Sequence, residues 1–179
     1  MEKVILIGAG GHARVVLDAA LYDENIEIIG FLDDGDIDEI LGVKKLGNIS
    51  EIERFKDCKF HIAIGNNLLR KELAKKIGFE NLITIVHPTA VISRDVQVGK
   101  GCYIGASAVI NSKAIVEDIV IVNTRSVVEH DCILKEASHL SYGVLLGSSV
   151  SIEKSIYIEM GSVVGRGIKV ERDKNEKVI

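Results

Sequence analysis

The chain has 179 residues, enough for one compact domain or two small ones, and its 47% hydrophobic content is enough to build a core. Its 22 basic and 26 acidic residues give a net charge of −4, and the charges are scattered, which argues against a nucleic-acid partner. No apolar run approaches the roughly 20 residues of a membrane helix, and a sparse, odd cysteine count without a signal peptide predicts a cytoplasmic protein that does not contact a membrane.

Residues 1–88 alternate between predicted strands and helices, the pattern of a small α/β domain with a parallel sheet. Gly78 is well placed to end the last of the helices. The polar stretch 35–45 is predicted to be loop or short turns, so three or four strands form the sheet. We predict strands at 4–7, 26–32 and 59–64, a last extended piece at 81–86, and helices at 13–20, 49–55 and 68–77.

Three polar turns follow the predicted strands, at the edge where open α/β sheets bind ligands. The first is rich in glycine, and its amides and the following helix N-terminus suit a phosphate. Too few strands precede Pro88 for a two-half dinucleotide domain, so a smaller nucleotide such as a nucleotide sugar fits better. The alternatives are a purely structural glycine turn and an asparagine that caps a helix. The candidate substrate-binding residues are Gly8, Gly10, Gly11, His12, Asp33, Asp34, Gly65, Asn66 and Asn67.

Residues 89–179 carry a period of six, which neither a helix nor a flat strand explains. Such hexapeptide periodicity is the signature of a parallel β-helix, in which each hexad makes a short strand and a turn and three hexads close one coil. The aliphatic residue of each hexad should point inward and stack on its equivalents about 4.8 Å away in adjacent coils. These residues are Ile92, Val98, Ile104, Ile110, Val116, Val122, Val128, Leu134, Leu140, Leu146, Ile152, Ile158, Val164 and Val170.

His130 is the main candidate for catalysis. It lies two residues after the inward Val128, on a predicted turn, so its ring should project outward beside Glu129 and Asp131. A carboxylate that holds one ring nitrogen leaves the other basic and able to take a proton from an amine or hydroxyl. His139, half a coil further on, could help to place a thioester or an acceptor. A structural role is the alternative for both histidines.

A zinc hydratase is the alternative chemistry on such a scaffold, because it gathers three histidine ligands on the coils. The histidines near the coils are His87, His130 and His139, and their spacing offers no evident triplet. The three cysteines have no metal-like spacing either, and Cys102 and Cys132 fall on inward positions where cysteine acts as a small hydrophobe. We therefore expect no metal.

Taken together, these motifs resemble one known family: the sialic acid O-acetyltransferases and nucleotide-amino-sugar N-acetyltransferases of the bacillosamine and perosamine pathway type. The resemblance covers nearly the whole chain. It is carried by six motifs that occur in this order, first in the α/β domain and then in the hexapeptide repeat: 8-GAGGH-12, 31-FLDD-34, 63-AIGNN-67, 87-HPTA-90, 123-NT-124 and 129-EHD-131.

The resemblance implies a left-handed β-helix assembled as a homotrimer, with active sites between neighbouring subunits. It implies acetyl-CoA as the acyl donor and an acceptor sugar, possibly UDP-linked, of the kind used in surface-polysaccharide or glycan biosynthesis. His130 matches the general base, Asp131 the residue that orients it, and His139 a second histidine near the acetyl group. The turns listed above match positions that face the nucleotide sugar. Backbone amides near Gly143, Gly147 and Ser148 match positions where the thioester carbonyl would be hydrogen-bonded.

Members of this family continue for further coils, whereas this chain stops about where such a coil would begin. Glutamate also replaces a turn glycine at positions such as 153 and 159. These departures favour, as the alternative, a catalytically weakened or inactive trimeric nucleotide-sugar-binding homologue. An NAD-binding regulator is a further alternative. The open end of the coil must be capped, by the charged stretch 171–177 before Val178 and Ile179 or by another chain.

Overall fold

The structure is a computed structural model, and it describes residues 1–171. It has an α/β part followed by a left-handed parallel β-helix, so the predicted fold class is confirmed. The cap expected from the charged C-terminal stretch lies outside the described residues, apart from Glu171 itself. No helix within residues 1–171 is long and apolar enough to cross a membrane.

The N-terminal part is a five-stranded sheet in the order β3-β4-β2-β1-β5. Its strands are parallel except for the β3–β4 pair. The central β1 buries both faces: Leu6 packs in the cluster that contains α1, whereas Ile5 and Ile7 pack in the cluster that contains α2. The elements are β1 (Glu2–Ile7), α1 (Gly11–Ala20), β2 (Ile26–Leu32), β3 (Glu39–Ile40), β4 (Val43–Gly47), β5 (Lys59–Ile62), α2 (Asn67–Ile77) and two 3-10 helices (Ile49–Phe55 and Phe79–Asn81).

The stretch 35–45 is not the loop that we predicted. It contains β3 and most of β4, which form a tight hairpin around Leu41 and Gly42, both with positive φ. These strands are too short and too polar to show a period of two, so the hairpin has no clear sequence signal. The sheet consequently has five strands rather than three or four. The predicted end of α2 is confirmed, because Gly78 has a φ of 87° and donates its N–H to Ala74 O at 2.9 Å.

The β-helix consists of two-residue strands in three parallel sheets, and each strand pairs with those 18 residues before and after it. The inward aliphatic residues form one continuous core, as the period of six predicts. Its strands are β6 (Ile85–Val86), β7 (Val91–Ile92), β8 (Gln97–Val98), β9 (Tyr103–Ile104), β10 (Val109–Ile110), β11 (Ile115–Val116), β12 (Ile121–Val122), β13 (Val127–Val128), β14 (Ile133–Leu134), β15 (His139–Leu140), β16 (Leu145–Leu146), β17 (Ser151–Ile152), β18 (Tyr157–Ile158), β19 (Val163–Val164) and β20 (Lys169–Val170).

The three faces of the coil are named in chain order, together with the corners between them. The first face contains β7, β10, β13, β16 and β19; the second contains β8, β11, β14, β17 and β20; the third contains β6, β9, β12, β15 and β18. The first corner, before the first face, contains the turns 106–107, 124–125 and 142–143. The second corner contains the turns 112–113, 130–131 and 148–149, and the third contains 118–119, 136–137 and 154–155.

The N-terminal part packs on the third face of the coil. The outward Tyr103 and Ile121 of this face belong to the cluster that contains α1, and Ile119 and Ala137 of the third corner belong to the cluster that contains α2. The division of the chain at residue 88 stays a prediction. In the structure, β6 lies before that point and already pairs with β9.

Candidate active site

A cavity of about 800 Å³ lies between the N-terminal end of α1 and the first corner of the coil. Gly11, His12 and Val15 form the side that belongs to the N-terminal part. The first N–H groups of an α-helix have no partners within the helix, so this end of α1 offers donors and a partial positive charge to an anionic ligand. The side that belongs to the coil consists of Asn123, Thr124, Arg125, Tyr142, Gly143 and Leu145.

His12 connects this cavity with the buried junction between the two parts. Its ring centroid lies 5.3 Å from that of Tyr103, in an edge-on arrangement, and 6.2 Å from that of His139. Burial lowers the pKa of His12 to about 3, helped by the positive charge of Arg70, so the ring is neutral near pH 7. Its Nε2 is buried and has no hydrogen-bond partner within residues 1–171. The predicted glycine-rich turn thus borders a cavity through Gly11 and His12.

His130 and Asp131 are brought together at the second corner of the coil. Nδ1 of His130 lies 2.6 Å from Oδ2 of Asp131, and both side chains are about half exposed. Glu129 accepts a weaker bond, 3.3 Å, from the backbone N–H of His130. The carboxylate of Asp131 therefore holds Nδ1 and leaves Nε2 facing outward as a possible base.

His139 lies on β15 of the third face and is largely buried against the N-terminal part. Nδ1 of His139 lies 3.2 Å from the carbonyl oxygen of Gly65, and its ring meets Tyr157 edge-on at 4.8 Å between centroids. The structure therefore groups His139 with His12 and Gly65 at the domain junction. In a single chain His130 belongs to a different corner.

Most polar residues of the three predicted turns are hydrogen-bonded within the chain. Asp33 accepts bonds from the N–H groups of Ala9 (2.8 Å) and Gly35 (2.7 Å), and Asp34 accepts one from Ile49 (2.9 Å). The Asp33 carboxylate thus braces the first turn against the second, and the Asp34 carboxylate ties the second turn to the start of the 3-10 helix at Ile49. Both bonds reduce the freedom of these carboxylates to bind a ribose.

The asparagines at the start of α2 are also engaged. Asn66 caps α2 by accepting from the N–H groups of Leu68 and Leu69, the alternative that the sequence left open. Asn67 is 9% exposed and donates to Ser155 O of the coil at 3.1 Å. Gly8 adopts a φ of 105°, and a Cβ there would lie 2.9 Å from Ile64, so this glycine shapes the turn. Gly10 is the exposed N-cap residue of α1.

The three residues expected to contact the thioester lie near the first and second corners of the coil. Gly143 lines the cavity, and Ser148 lies one coil above His130 at the second corner. The N–H of Gly143 donates to Thr124 O (2.9 Å) and that of Gly147 to Val164 O (2.8 Å). These two amides are therefore hydrogen-bonded within the coil. They are not free to stabilise an oxyanion, the role that the family resemblance implied for them.

Two features of the site were not predicted from the sequence. Arg125 and Tyr142 line the cavity, and Arg70 is fully buried at the domain junction. Arg125 and Tyr142 occupy turn positions of the repeat, and only that register could have indicated that they project outward at one corner. Arg70 sits on a helix whose pattern does not reveal that this face meets the coil. No group of three or more His, Cys, Asp or Glu residues that could hold a metal ion occurs within residues 1–171.

Comparison with known proteins gives consistent relatives for both parts of the chain. Residues 3–77 match the family model described as the PglD N-terminal domain. UDP-N-acetylbacillosamine N-acetyltransferase of Bacillus subtilis (strain 168) is 32% identical over 115 residues, which are 59% of this chain and 52% of that protein. The chain thus spans about half the length of this curated relative.

Solved structures extend the similarity to nearly the whole chain. The acetyltransferase domain of PglB from Neisseria gonorrhoeae FA1090, in complex with acetyl coenzyme A, is 29% identical with a TM-score of 0.84, over 94% of this chain and 87% of that one. A mutant of perosamine N-acetyltransferase from Caulobacter crescentus, in complex with CoA and GDP-perosamine, is 30% identical with a TM-score of 0.78, over 97% and 90%. The chain therefore belongs to the hexapeptide-repeat family that contains the UDP-N-acetylbacillosamine and perosamine N-acetyltransferases.

Proposed function

We propose that this protein transfers an acetyl group from acetyl-CoA to the amino group of a nucleotide-linked sugar. The observation that carries the proposal is the His130–Asp131 pair, 2.6 Å apart and half exposed at a corner of the coil in a chain of this family. Relatives with the same architecture have been solved with acetyl-CoA, and with CoA and GDP-perosamine.

His130 acts as the general base in this proposal. Asp131 holds its Nδ1–H, so Nε2 accepts the proton that the sugar amine loses as the nitrogen attacks the thioester carbonyl carbon. The new C–N bond forms a tetrahedral intermediate, which collapses by breaking the C–S bond. The CoA thiolate leaves and takes up the proton from His130, so the base is regenerated. Binding both substrates in one cleft supplies much of the rate acceleration.

The cavity at the first corner is the proposed site for the acceptor. Its volume of about 800 Å³ lies within the range that small-molecule sites occupy. The N-terminal end of α1 and the Arg125 guanidinium suit the diphosphate of a nucleotide sugar. Gly11 and His12 border this space directly, while Asp33 and Gly8 shape the turn behind them. The small residues Gly143, Gly147 and Ser148 remain proposed contacts of the acyl donor.

A homotrimer would complete this site. Every outward residue of the first face is aliphatic: Val91, Val109, Val127, Leu145 and Val163. Val91, Leu145 and Val163 are 60%, 44% and 74% exposed in the single chain, an apolar column that suits association. The cavity and His130 lie at opposite edges of this face. Packing of first faces around a threefold axis would bring His130 of one subunit toward the cavity of its neighbour.

Replacement of His130 by alanine tests the assignment of the base. We expect His130→Ala to lower kcat by about 10²–10⁴-fold, the usual contribution of a general base, measured as thiol release from acetyl-CoA with a panel of UDP- and GDP-amino sugars. His87→Ala is the matched control, because His87 is a turn histidine of the first corner whose side chain hydrogen-bonds only to Thr89 among the described residues. Full activity of His130→Ala would exclude this mechanism.

Binding of acetyl-CoA tests the activity independently of the acceptor. We expect saturable binding in a calorimetric titration of the unmodified protein. A protein that binds UDP- or GDP-sugars but no acetyl-CoA at millimolar concentration would instead be a non-catalytic nucleotide-sugar-binding homologue.

A further inference from the structure

Arg70 is a buried cation without an acidic partner. Its relative exposure is 0%, and no carboxylate of residues 1–171 lies within ion-pair distance of its guanidinium. A charge taken out of water is costly unless hydrogen bonds satisfy it. A residue kept under these conditions, on a helix where Leu or Ala would be easier to bury, needs an explanation.

The guanidinium is satisfied by oxygen atoms from both parts of the chain. On the N-terminal side, Nη1 donates to the carbonyls of Ile64 (3.0 Å) and Gly65 (3.2 Å), and Nη2 donates to Asn67 Oδ1 (2.9 Å). On the coil side, Nε donates to Ile119 O (2.8 Å) and Nη2 to Ala137 O (2.9 Å). The planar fork of arginine therefore joins the turn before α2 to two turns of the third corner, a geometry that a lysine cannot reproduce.

One of these oxygens is shared with a histidine. The Gly65 carbonyl, held by Arg70, lies 3.2 Å from Nδ1 of His139. A carbonyl can only accept, so Nδ1 of His139 must carry the hydrogen. Burial, then the charge of Arg70, lowers the pKa of His139 to about 4, so the ring is neutral and Nε2 has a lone pair. Nε2 is buried without a partner within residues 1–171, and the ring faces His12 of α1 and Tyr157 of β18.

We propose that Arg70 is a positioning residue: it fixes the Gly65 carbonyl, and through it holds His139 as the neutral Nδ1–H tautomer whose Nε2 accepts a hydrogen bond. This rests on the proposed acetyl transfer for its functional meaning. In this tautomer Nε2 of His139 can only accept a hydrogen bond, from an N–H or O–H group, and cannot donate one to a thioester oxygen. Arg70 thereby couples the packing of the N-terminal part on the coil to the hydrogen-bonding state of His139, whose ring lies behind the cavity-lining His12.

The unmodified protein provides the first test. Histidine side-chain ¹⁵N NMR of the full chain, with the His139 signals identified by their loss in His139→Gln, reports the tautomer directly. We expect the Nδ1–H form of His139, unchanged between pH 8 and pH 5.5. An Nε2–H tautomer, or a His139 ring that becomes protonated in this range, would overturn the proposal whether or not the protein transfers acetyl groups.

Two matched variants on α2 provide the second test. Arg70→Lys keeps the charge but loses the fork; we expect the His139 signals to shift and kcat to fall roughly 10- to 100-fold, the scale of a small misplacement, with KM for acetyl-CoA less affected. Lys71→Met removes the neighbouring surface ion pair between Lys71 and Glu136 (2.8 Å), which also joins the two parts. It should leave both the His139 signals and kcat unchanged.

The outcomes separate the two proposals. Wild-type His139 signals and kcat in Arg70→Lys, or equal changes in Lys71→Met, would show that Arg70 is only one of several domain contacts. Loss of acetyl transfer in His130→Ala with normal His139 signals leaves the inference intact. If Arg70→Lys does not fold, the spectrum of the unmodified protein still decides. If the unmodified protein transfers no acetyl group, the proposed function fails while the spectrum still judges the role of Arg70 toward His139.

Discussion

Three histidines, His12, His61 and His139, lie near enough to Arg70 for its charge to lower their pKa values, and burial keeps all three neutral. Desolvation is the largest cause in each case: it lowers the pKa of His12 to about 3 and those of His61 and His139 to about 4. His61 is 1% exposed, and its Nδ1 donates to Ile83 O at 3.0 Å. Each of these rings regains an ordinary pKa near 6.5 when the chain unfolds.

The stability of the protein should therefore decrease between pH 7 and pH 5. In this range the unfolded chain binds protons on these histidines and the folded chain does not, so the free energy of unfolding falls as the pH falls. For His61 alone the loss between pH 7 and pH 5 is about 2 kcal/mol. Urea unfolding at both pH values and at one protein concentration measures it.

His61→Phe is the variant that isolates this effect. It removes one buried titrating group, so the difference in stability between pH 7 and pH 5 should shrink by about 2 kcal/mol, even if the variant is less stable at both. An unchanged pH dependence in His61→Phe would contradict the assignment of a neutral His61.

The sequence anticipated the local positions of His12 and His130 better than the packing around them. His12 and His130 could be placed because each follows a strong local signal, a glycine-rich turn or a hexad turn. The roles of Asp33 and Asn66 could not, because a carboxylate or amide after a strand serves a ligand and a backbone N–H equally well. The burial of Arg70 depends on contacts with residues such as Ala137, 67 positions away.

At the level of elements, the hexad repeat determines the coil almost completely. The period of six predicted every inward aliphatic residue, since each must stack on its equivalent 18 residues on. The glutamates that replace turn glycines, which appeared as irregularities, also have structural roles. Glu117 Oε2 accepts from the N–H of Glu136 in the next coil at 2.8 Å, and Glu153 pairs with Lys135 in the preceding coil at 2.6 Å. The hairpin of β3 and β4 had no comparable signal, because its strands are short and polar.

At some hexads a glycine still directly follows the inward aliphatic residue. Glycine is needed there where the backbone of the next coil lies too close for a side chain. A Cβ on Gly105 would lie 2.7 Å from the backbone nitrogen of Thr124, which belongs to the coil itself and cannot move aside. We expect Gly105→Ala to destabilise the protein by roughly 1–3 kcal/mol, as overpacking usually does. Thermal unfolding should show this as a Tm lowered by a few degrees.

Gly165 offers a matched control for this substitution. It occupies the same place in its hexad, but within the described residues a Cβ there meets only Ile168 at 3.9 Å, an ordinary van der Waals distance. Gly165→Ala should therefore change the Tm by less than Gly105→Ala. Equal losses in both variants would mean that the backbone conformation, and not the contact between coils, requires glycine at this position.

At the scale of the whole molecule, the three faces of the triangular coil have different surroundings and compositions. The third face is covered by the N-terminal part through Tyr103 and Ile121. The second face mixes apolar residues such as Ile115 and Ile133 with Gln97, Ser151 and Lys169. The first face is uniformly aliphatic and connects the cavity with His130. In the proposed homotrimer this face is the surface on which subunits meet, with the site assembled across it.

A single charge on the first face should therefore abolish both assembly and activity. Val127 and Ile133 are outward, half-buried residues of consecutive strands in one coil, on the first and second face respectively. A glutamate at Val127 would have to be desolvated in a subunit interface, so Val127→Glu should shift the protein from three chains of 19.5 kDa to one. Analytical ultracentrifugation measures the mass, and thiol release measures the activity of the same samples.

Ile133→Glu is the matched control. It should remain trimeric and active, because its face stays in solvent. A Val127→Glu monomer that keeps full activity would show that one chain completes the site by itself, and a trimer disrupted only by Ile133→Glu would move the interface to the second face.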